Sequence, residues 1–151
     1  MEIKLLNLLK ITLLISVTLC FIACSKNSAS TLITIADARE HKAQFIDTGI
    51  SGDSVGDILT FDQPLLDENM KPIGTNSGSC IRTQLKHSFQ CQWTLQFKNG
   101  SVQVAGRELE QGTSNISIIG GTGIYAGIVG EMQSHNNNDG TFTQNLSYWI
   151  Q

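Results

Sequence analysis

After residue 24 the chain reads as short runs of alternating apolar and polar residues, broken by Gly, Asn, Asp and Pro at intervals of about ten residues, the spacing of an all-β sandwich or barrel. The clearest run is the last, Thr141 to Ile150, where Phe142, Gln144, Leu146 and Tyr148 alternate with Thr141, Thr143, Asn145, Ser147 and Trp149. Other predicted strands are Leu32 to Ala36, Gly56 to Gln63 stopped by Pro64, Thr75 to Gln84, Phe89 to Phe97, a return strand from Val102 and Val104, Ile116 to Ile119, and Ile128 to Ser134. Asn99-Gly100 marks a hairpin, because that pair tolerates positive φ at both central positions. Only Asp37 to Asp47 is expected to make a helical turn. About eight strands joined mainly by short hairpins, with no βαβ pattern, favour closure into an up-and-down antiparallel β-barrel, since closure removes exposed edges.

The N-terminus has a different pattern. Lys4 and Lys10 precede an uncharged run from Ile11 to Ala23, a basic segment followed by an apolar one as in an export signal. A spanning helix needs about 20 apolar residues, and this run is shorter. Residues 1–23 are therefore expected to be a signal peptide. Phe21-Ile22-Ala23-Cys24 resembles the lipobox of bacterial lipoproteins, with Phe21 where leucine is usual, which implies that Cys24 carries the lipid. Residues 24–31 then form a polar tether, residues 32–151 form the barrel domain, and the protein sits on a bacterial membrane in the cell envelope. An ordinary cleaved signal, giving a secreted or periplasmic protein, is the alternative.

Without residues 1–23 the formal charge is −4 over 128 residues, with Lys and Arg scattered singly. That balance repels phosphate backbones and argues against nucleic acid as a partner. Of the four cysteines, Cys20 lies in the signal and Cys24 at the lipid site. Cys80 and Cys91 remain, on strands expected to be neighbours in an oxidising compartment, so a disulfide between them is predicted.

Candidate chemistry is sparse. Gly120-Gly121-Thr122-Gly123 invites a phosphate-loop reading, but no helix follows it, and a barrel corner or bulge is the better expectation. His41, His87 and His135 stand apart in polar stretches without a second ligand at metal spacing, so no metal is expected. Asp37, Asp57, Asp62 and Glu131 are the carboxylates near strand starts; one drawn into an apolar barrel would have its pKa raised, as a general acid or base near neutral pH requires.

Four motifs occur in order: Gly56-Asp57-Ile58-Leu59-Thr60-Phe61; Gly74 through Gly78-Ser79-Cys80; Gly100-Ser101-Val102-Gln103-Val104-Ala105-Gly106; and Ile118 through Gly130-Glu131. Together they resemble the allene oxide cyclase and dirigent protein superfamily across about residues 31–150. The resemblance implies an eight-stranded antiparallel barrel, usually trimeric, with an apolar cavity. It also implies chemistry without metal or organic cofactor, in which a reactive substrate is held in one shape. Carried over residue by residue, the pocket aromatic falls on Phe61 and the pocket cysteine on Cys80, while Thr34 stands near the expected carboxylate, Ala36 near its neighbouring asparagine and Gln63 at the later asparagine. The cavity candidates are thus Thr34, Phe61, Gln63 and Cys80, and no catalytic residue is assigned. Two functions stay open: a barrel that binds, and isomerises or cyclises, a small apolar or phenolic molecule, or a non-enzymatic oligomeric envelope lipoprotein with a filled barrel.

Overall fold

The computed structural model describes residues 28–41 and 43–151. Its strands are β1 (Ser30–Asp37), β2 (Gln44–Ile46), β3 (Ile58–Leu66), β4 (Pro72–Gln84), β5 (Ser88–Phe97), β6 (Gly100–Leu109), β7 (Thr113–Gly123), β8 (Ile128–Asn136) and β9 (Thr141–Ile150). The signal segment, Cys24 and the start of the tether lie outside the described residues. The expected tether ends early, because Ser30 and Thr31 already pair with Tyr148 and Ser147 in the first strand.

Strands β3 to β9 follow one another as antiparallel neighbours, and β1 closes the ring by pairing with both β9 and β3. The result is an eight-stranded antiparallel barrel, with β2 as a short ninth strand laid outside the ring on β3. The two pairings of β1 are unequal. Against β9 it is in register over its whole length, whereas against β3 only Ile35 and Ala36 find partners, Leu66 and Leu65. Strand β2 covers Ile58 to Thr60 on the same edge, so that edge of β3 has no strand partner from Phe61 to Pro64.

This gap corrects one expectation: Pro64 does not stop the strand. It sits inside β3 opposite Thr75, at the stretch where a missing N–H breaks no ladder bond to β1 or β2. Two further expectations change. Asp37 to Asp47 makes no helical turn among its described residues; it leaves β1 and returns as exposed β2, because its apolar residues are too few and poorly spaced to bury a helix face. The β5–β6 hairpin turns one residue early, on Lys98-Asn99, and Gly100 alone takes positive φ (152°). A side chain there would strike the carbonyl oxygen of Thr122, with its Cβ only 2.1 Å away. At Gly120 the β6–β7 register slips, Gln103 pairing with Gly120 but Val104 with Ile118, so the glycine cluster is a bulge with no helix behind it.

Alternation along each strand sends one set of side chains inward. Toward one end, Leu65, Leu95, Val102, Met132 and Leu146 are fully buried. Phe97, Tyr125 and Tyr148 cap that end, with ring centroids 5.3 Å apart for Phe97–Tyr125 and 6.4 Å for Tyr125–Tyr148. Burying each such aliphatic side chain contributes about 1.5–3 kcal/mol, so this half is the core that holds the barrel together.

Candidate functional site

The other half of the interior is hollow. A cavity of about 620 Å³ opens at that end, within the range of about 300–1,000 Å³ typical of small-molecule sites. Its wall is built rung by rung from the register of β3, β4, β5 and β6. The floor rung carries Gln63 and Asn76 side by side. One step toward the mouth come Phe61, Gly78 and Trp93, then Leu59, Cys80, Cys91 and Gly106, and at the mouth Arg82, Phe89 and Glu108.

Small residues create this room. Gly78 lies directly opposite Trp93, and a Cβ on it would stand 2.3 Å from the Trp93 Cβ. The indole is therefore free to lie against the wall and meet Phe61 edge-on at 6.4 Å. Cys80 and Cys91 are paired residues of β4 and β5 with Cα atoms 4.0 Å apart, and they form the predicted disulfide, which faces the cavity. Cys80 is thus a pocket residue without a free thiol.

Of the sequence-derived candidates, Phe61, Gln63 and Cys80 line the cavity and Thr34 does not. Thr34 is fully buried on β1 beside Gln144, where its hydroxyl donates to Oε1 of that cavity-lining amide at 3.0 Å and holds it in place. The carboxylates singled out from sequence lie elsewhere. Asp62 and Glu131 are exposed on outward-facing positions. Asp37 is clamped by Arg39, whose side chain donates two hydrogen bonds and lowers its pKa to about 2. Asp57 is buried and its pKa is lowered, chiefly by the backbone N–H of Ser54 at 2.7 Å and then by the Ser54 hydroxyl. His41, His87 and His135 are exposed; His87 Nδ1 meets Arg107 at 3.0 Å and His135 Nδ1 meets the Thr113 hydroxyl at 3.0 Å.

Three carboxyls line the cavity, Asp53, Glu108 and Glu110, and of these Glu108 is without a cation. Burial raises its pKa to about 7, and the hydroxyls of Ser134 and Ser114 offset only part of that rise. Ser134 donates to Oε1 at 2.9 Å, while Oε2 has no partner. The nearby cation, Arg82, is committed elsewhere: it bonds to Glu110, reaches Asp53 at 3.3 Å and Asp57 at 3.9 Å, and lies over the Phe89 and Phe45 rings at 4.5 and 5.3 Å. Phe45, on β2, also meets Phe89 at 6.2 Å, so Arg82 and two aromatic rings tie β2 across the mouth.

Among the described residues, four buried side-chain atoms lack a hydrogen-bond partner: Asn76 Oδ1, Arg82 Nε, Trp93 Nε1 and Glu108 Oε2. All four residues line this cavity. A buried polar atom without a partner costs about 1–3 kcal/mol, so their collection in one place makes this cavity the candidate site. Sequence reasoning missed Glu108, Trp93 and Asn76. The signal was present: Val102, Val104, Gly106 and Glu108 share one face of an alternating strand, so inward-facing valines at one end imply an inward-facing acid at the other.

The chain is an all-β barrel closed on itself, hollow at one end, with a cavity lined by aromatic rings and a few polar atoms. The family model described as Dirigent-like protein matches residues 16–150, and the chain belongs to that family, within the dirigent and allene oxide cyclase superfamily. A search of curated proteins finds no match. Among solved structures, the chain is similar to "Pyocyanin demethylase", with a TM-score of 0.67 and 22% identity over 80% of this chain and 100% of that one. It is also similar to the pterocarpan synthase dirigent protein PsPTS1, with a TM-score of 0.60 and 17% identity over 81% of this chain and 94% of that one. AbnU, an exo-specific intermolecular Diels-Alderase, gives a TM-score of 0.62 and 14% identity over 81% and 98% of the two chains. At these identities the likeness is one of fold.

Proposed function

We propose that the mature chain is an exported, lipid-anchored barrel that takes a small apolar or phenolic molecule into its cavity and isomerises or cyclises it by holding it in one reactive shape. The observation that carries this reading is the cavity itself: about 620 Å³ of mainly aromatic and aliphatic wall with unpartnered polar atoms at both floor and mouth. A filled barrel serving only as a scaffold would have no such space. Positioning is the mechanism the wall favours, because rigid aromatic surfaces restrict a flexible substrate before reaction and remove part of the entropic barrier. The fold neighbours named as a synthase and a Diels-Alderase fit the same reading. The chemistry proposed needs neither metal nor organic cofactor.

The purified mature chain titrated with 1-naphthol and with oleate tests the reading. Saturable binding that shifts the NMR signals of Phe61 and Trp93 is the expected result; no shift with either compound rejects the reading. Anchoring rests on the Ala23-Cys24 motif, and Cys24→Ala is expected to move the protein from the membrane to the soluble fraction. A trimer, proposed from the family resemblance, is checked by light scattering on the mature chain.

A further inference from the structure

Glu108 and Glu110 lie close together near the cavity mouth, and they have opposite surroundings. Glu110 is joined to Arg82, and through that guanidinium to Asp53; these three are the other charged side chains lining the cavity among the described residues. Glu108 has no cation. Phe89 stands directly opposite it on β5, Ser134 on β8 donates to one oxygen, and its second oxygen is buried without a hydrogen-bond partner. A carboxyl fixed through one oxygen, with the other free and no ion pair to satisfy, is arranged to exchange a proton with a bound molecule.

Deeper in the same cavity the Trp93 indole N–H is also unpartnered, although the residue is 5% exposed. An indole N–H can only donate, so it calls for an acceptor on the ligand. Asn76, 3% exposed and on the rung below, offers its free amide oxygen beside it. Trp93 and the partner of Glu108, Phe89, are four residues apart on β5, so about 13 Å of strand separates their rungs. On β3 to β6 the rung between them carries Leu59, the disulfide and Gly106, and Phe61 stands on the Trp93 rung. A flat ring system with an oxygen at one edge and an acidic hydrogen at the opposite edge suits this aromatic-walled arrangement.

We propose that Glu108 is a catalytic residue that moves a proton on a conjugated ring carbonyl whose oxygen is held by the Trp93 N–H. This inference rests on the ligand-binding reading above and names its substrate class. Ionised Glu108 takes a proton through Oε2 from a C–H conjugated with the carbonyl. The C–H electron pair moves through the ring system, and negative charge develops on the carbonyl oxygen, where the Trp93 N–H stabilises it. The Glu108 carboxylic acid then returns the proton to another atom of the conjugated system, or to the same carbon. The net change is a tautomeric shift, with no electron gained or lost and no co-reactant.

Anthrone is a suitable probe, since its carbonyl and its acidic CH₂ occupy opposite edges of the central ring. The mature chain is incubated with anthrone in D₂O under argon, and deuterium incorporation at the CH₂ is followed by NMR together with the Trp93 indole N–H signal. The wild type is expected to accelerate exchange, with a rate that rises as pH passes about 7. Glu108→Gln is expected to lose about a hundredfold or more of that acceleration while still shifting the Trp93 signal. Glu108→Asp, which keeps the acid on a shorter stem, is expected to fall between them, and Trp93→Phe to weaken both binding and exchange. If anthrone shifts the Trp93 signal but wild type exchanges no faster than Glu108→Gln, proton transfer is overturned and the binding reading stands. If anthrone, 1-naphthol and oleate all leave the cavity signals unmoved, both fall.

Discussion

The two halves of the barrel interior are made by the same strands, yet one is packed shut and the other is hollow. In the closed half the inward positions are Leu65, Leu95, Val102, Ile118, Ile128, Met132 and Leu146, all buried. In the open half the same strands present Gly78, Gly106, Ser134, a disulfide, and two charged groups at the rim, Arg82 and Glu108. Backbone geometry does not distinguish them; side-chain volume and polarity do. A barrel of this size is just wide enough for side chains to fill, so replacing large aliphatics by small residues over half its length is sufficient to open a site.

Truncating a side chain in the closed half should have the largest effect. Leu95→Ala leaves a void where neighbours are fixed on every side, and unfolding in urea is expected to show a loss of about 3–4 kcal/mol. A loss below about 1 kcal/mol would mean that this end is loosely packed and the contrast is false.

Glu108 sharpens the comparison from the open side. Its folded-state pKa of about 7 lies above the ordinary value of 4.5. The folded protein therefore keeps this proton while the unfolded chain has already lost it, and stability falls as pH rises from about 4.5 to about 7. Below that window the group has no effect; above it the folded state bears the full cost, on the order of 3 kcal/mol. Glu108→Gln is expected to be as stable as wild type at pH 4 and more stable at pH 8. Equal stability of the two proteins across that range would show that the carboxyl is well hydrated.

Strand count, barrel closure, the disulfide and the inward set of the last strand were legible because period-two alternation is a local signal. Phe61, Gln63 and Cys80 were placed in the cavity by resemblance, and the register puts them there. Thr34 and Glu108 show where local reading stops. Thr34 faces inward, but its hydroxyl is taken up by Gln144, paired with it from the far end of the chain, and only Gln144 lines the space. Glu108 was passed over in favour of carboxylates near strand starts, yet what matters is parity with Val102 and Val104 and the absence of a free cation, and the second depends on Arg82 being occupied by three acids from other segments. Pro64 misled for a related reason: a proline ends a paired strand, and only the closed ring reveals that this edge is bare.

The disulfide comes next in size. It spans a separation of 11 residues between adjacent strands, for which loop closure gives about 2–3 kcal/mol. It stands in the half with the fewest aliphatic contacts, so the double variant Cys80→Ser with Cys91→Ser is expected to lose about that much in urea unfolding. The loss should fall on the open half first, with hydrogen exchange rising at Trp93 and Phe89 before Leu95 and Val102. Uniform loosening of both halves would show that the barrel opens as a single unit.

The smallest effect is expected at Leu59, on the same rung as the disulfide. It is half-buried and already faces the cavity on one side. Leu59→Ala removes methyl groups from a wall rather than from a packed interior, so the void term is largely absent and only part of the transfer term remains, about 1 kcal/mol. The same change should enlarge the site and weaken binding of a flat aromatic probe such as 1-naphthol, because one face of the wall is lost. A cost equal to that of Leu95→Ala would instead mean that the open half closes over Leu59 when no ligand is bound, and the difference between the two halves would then be a difference between liganded and empty states.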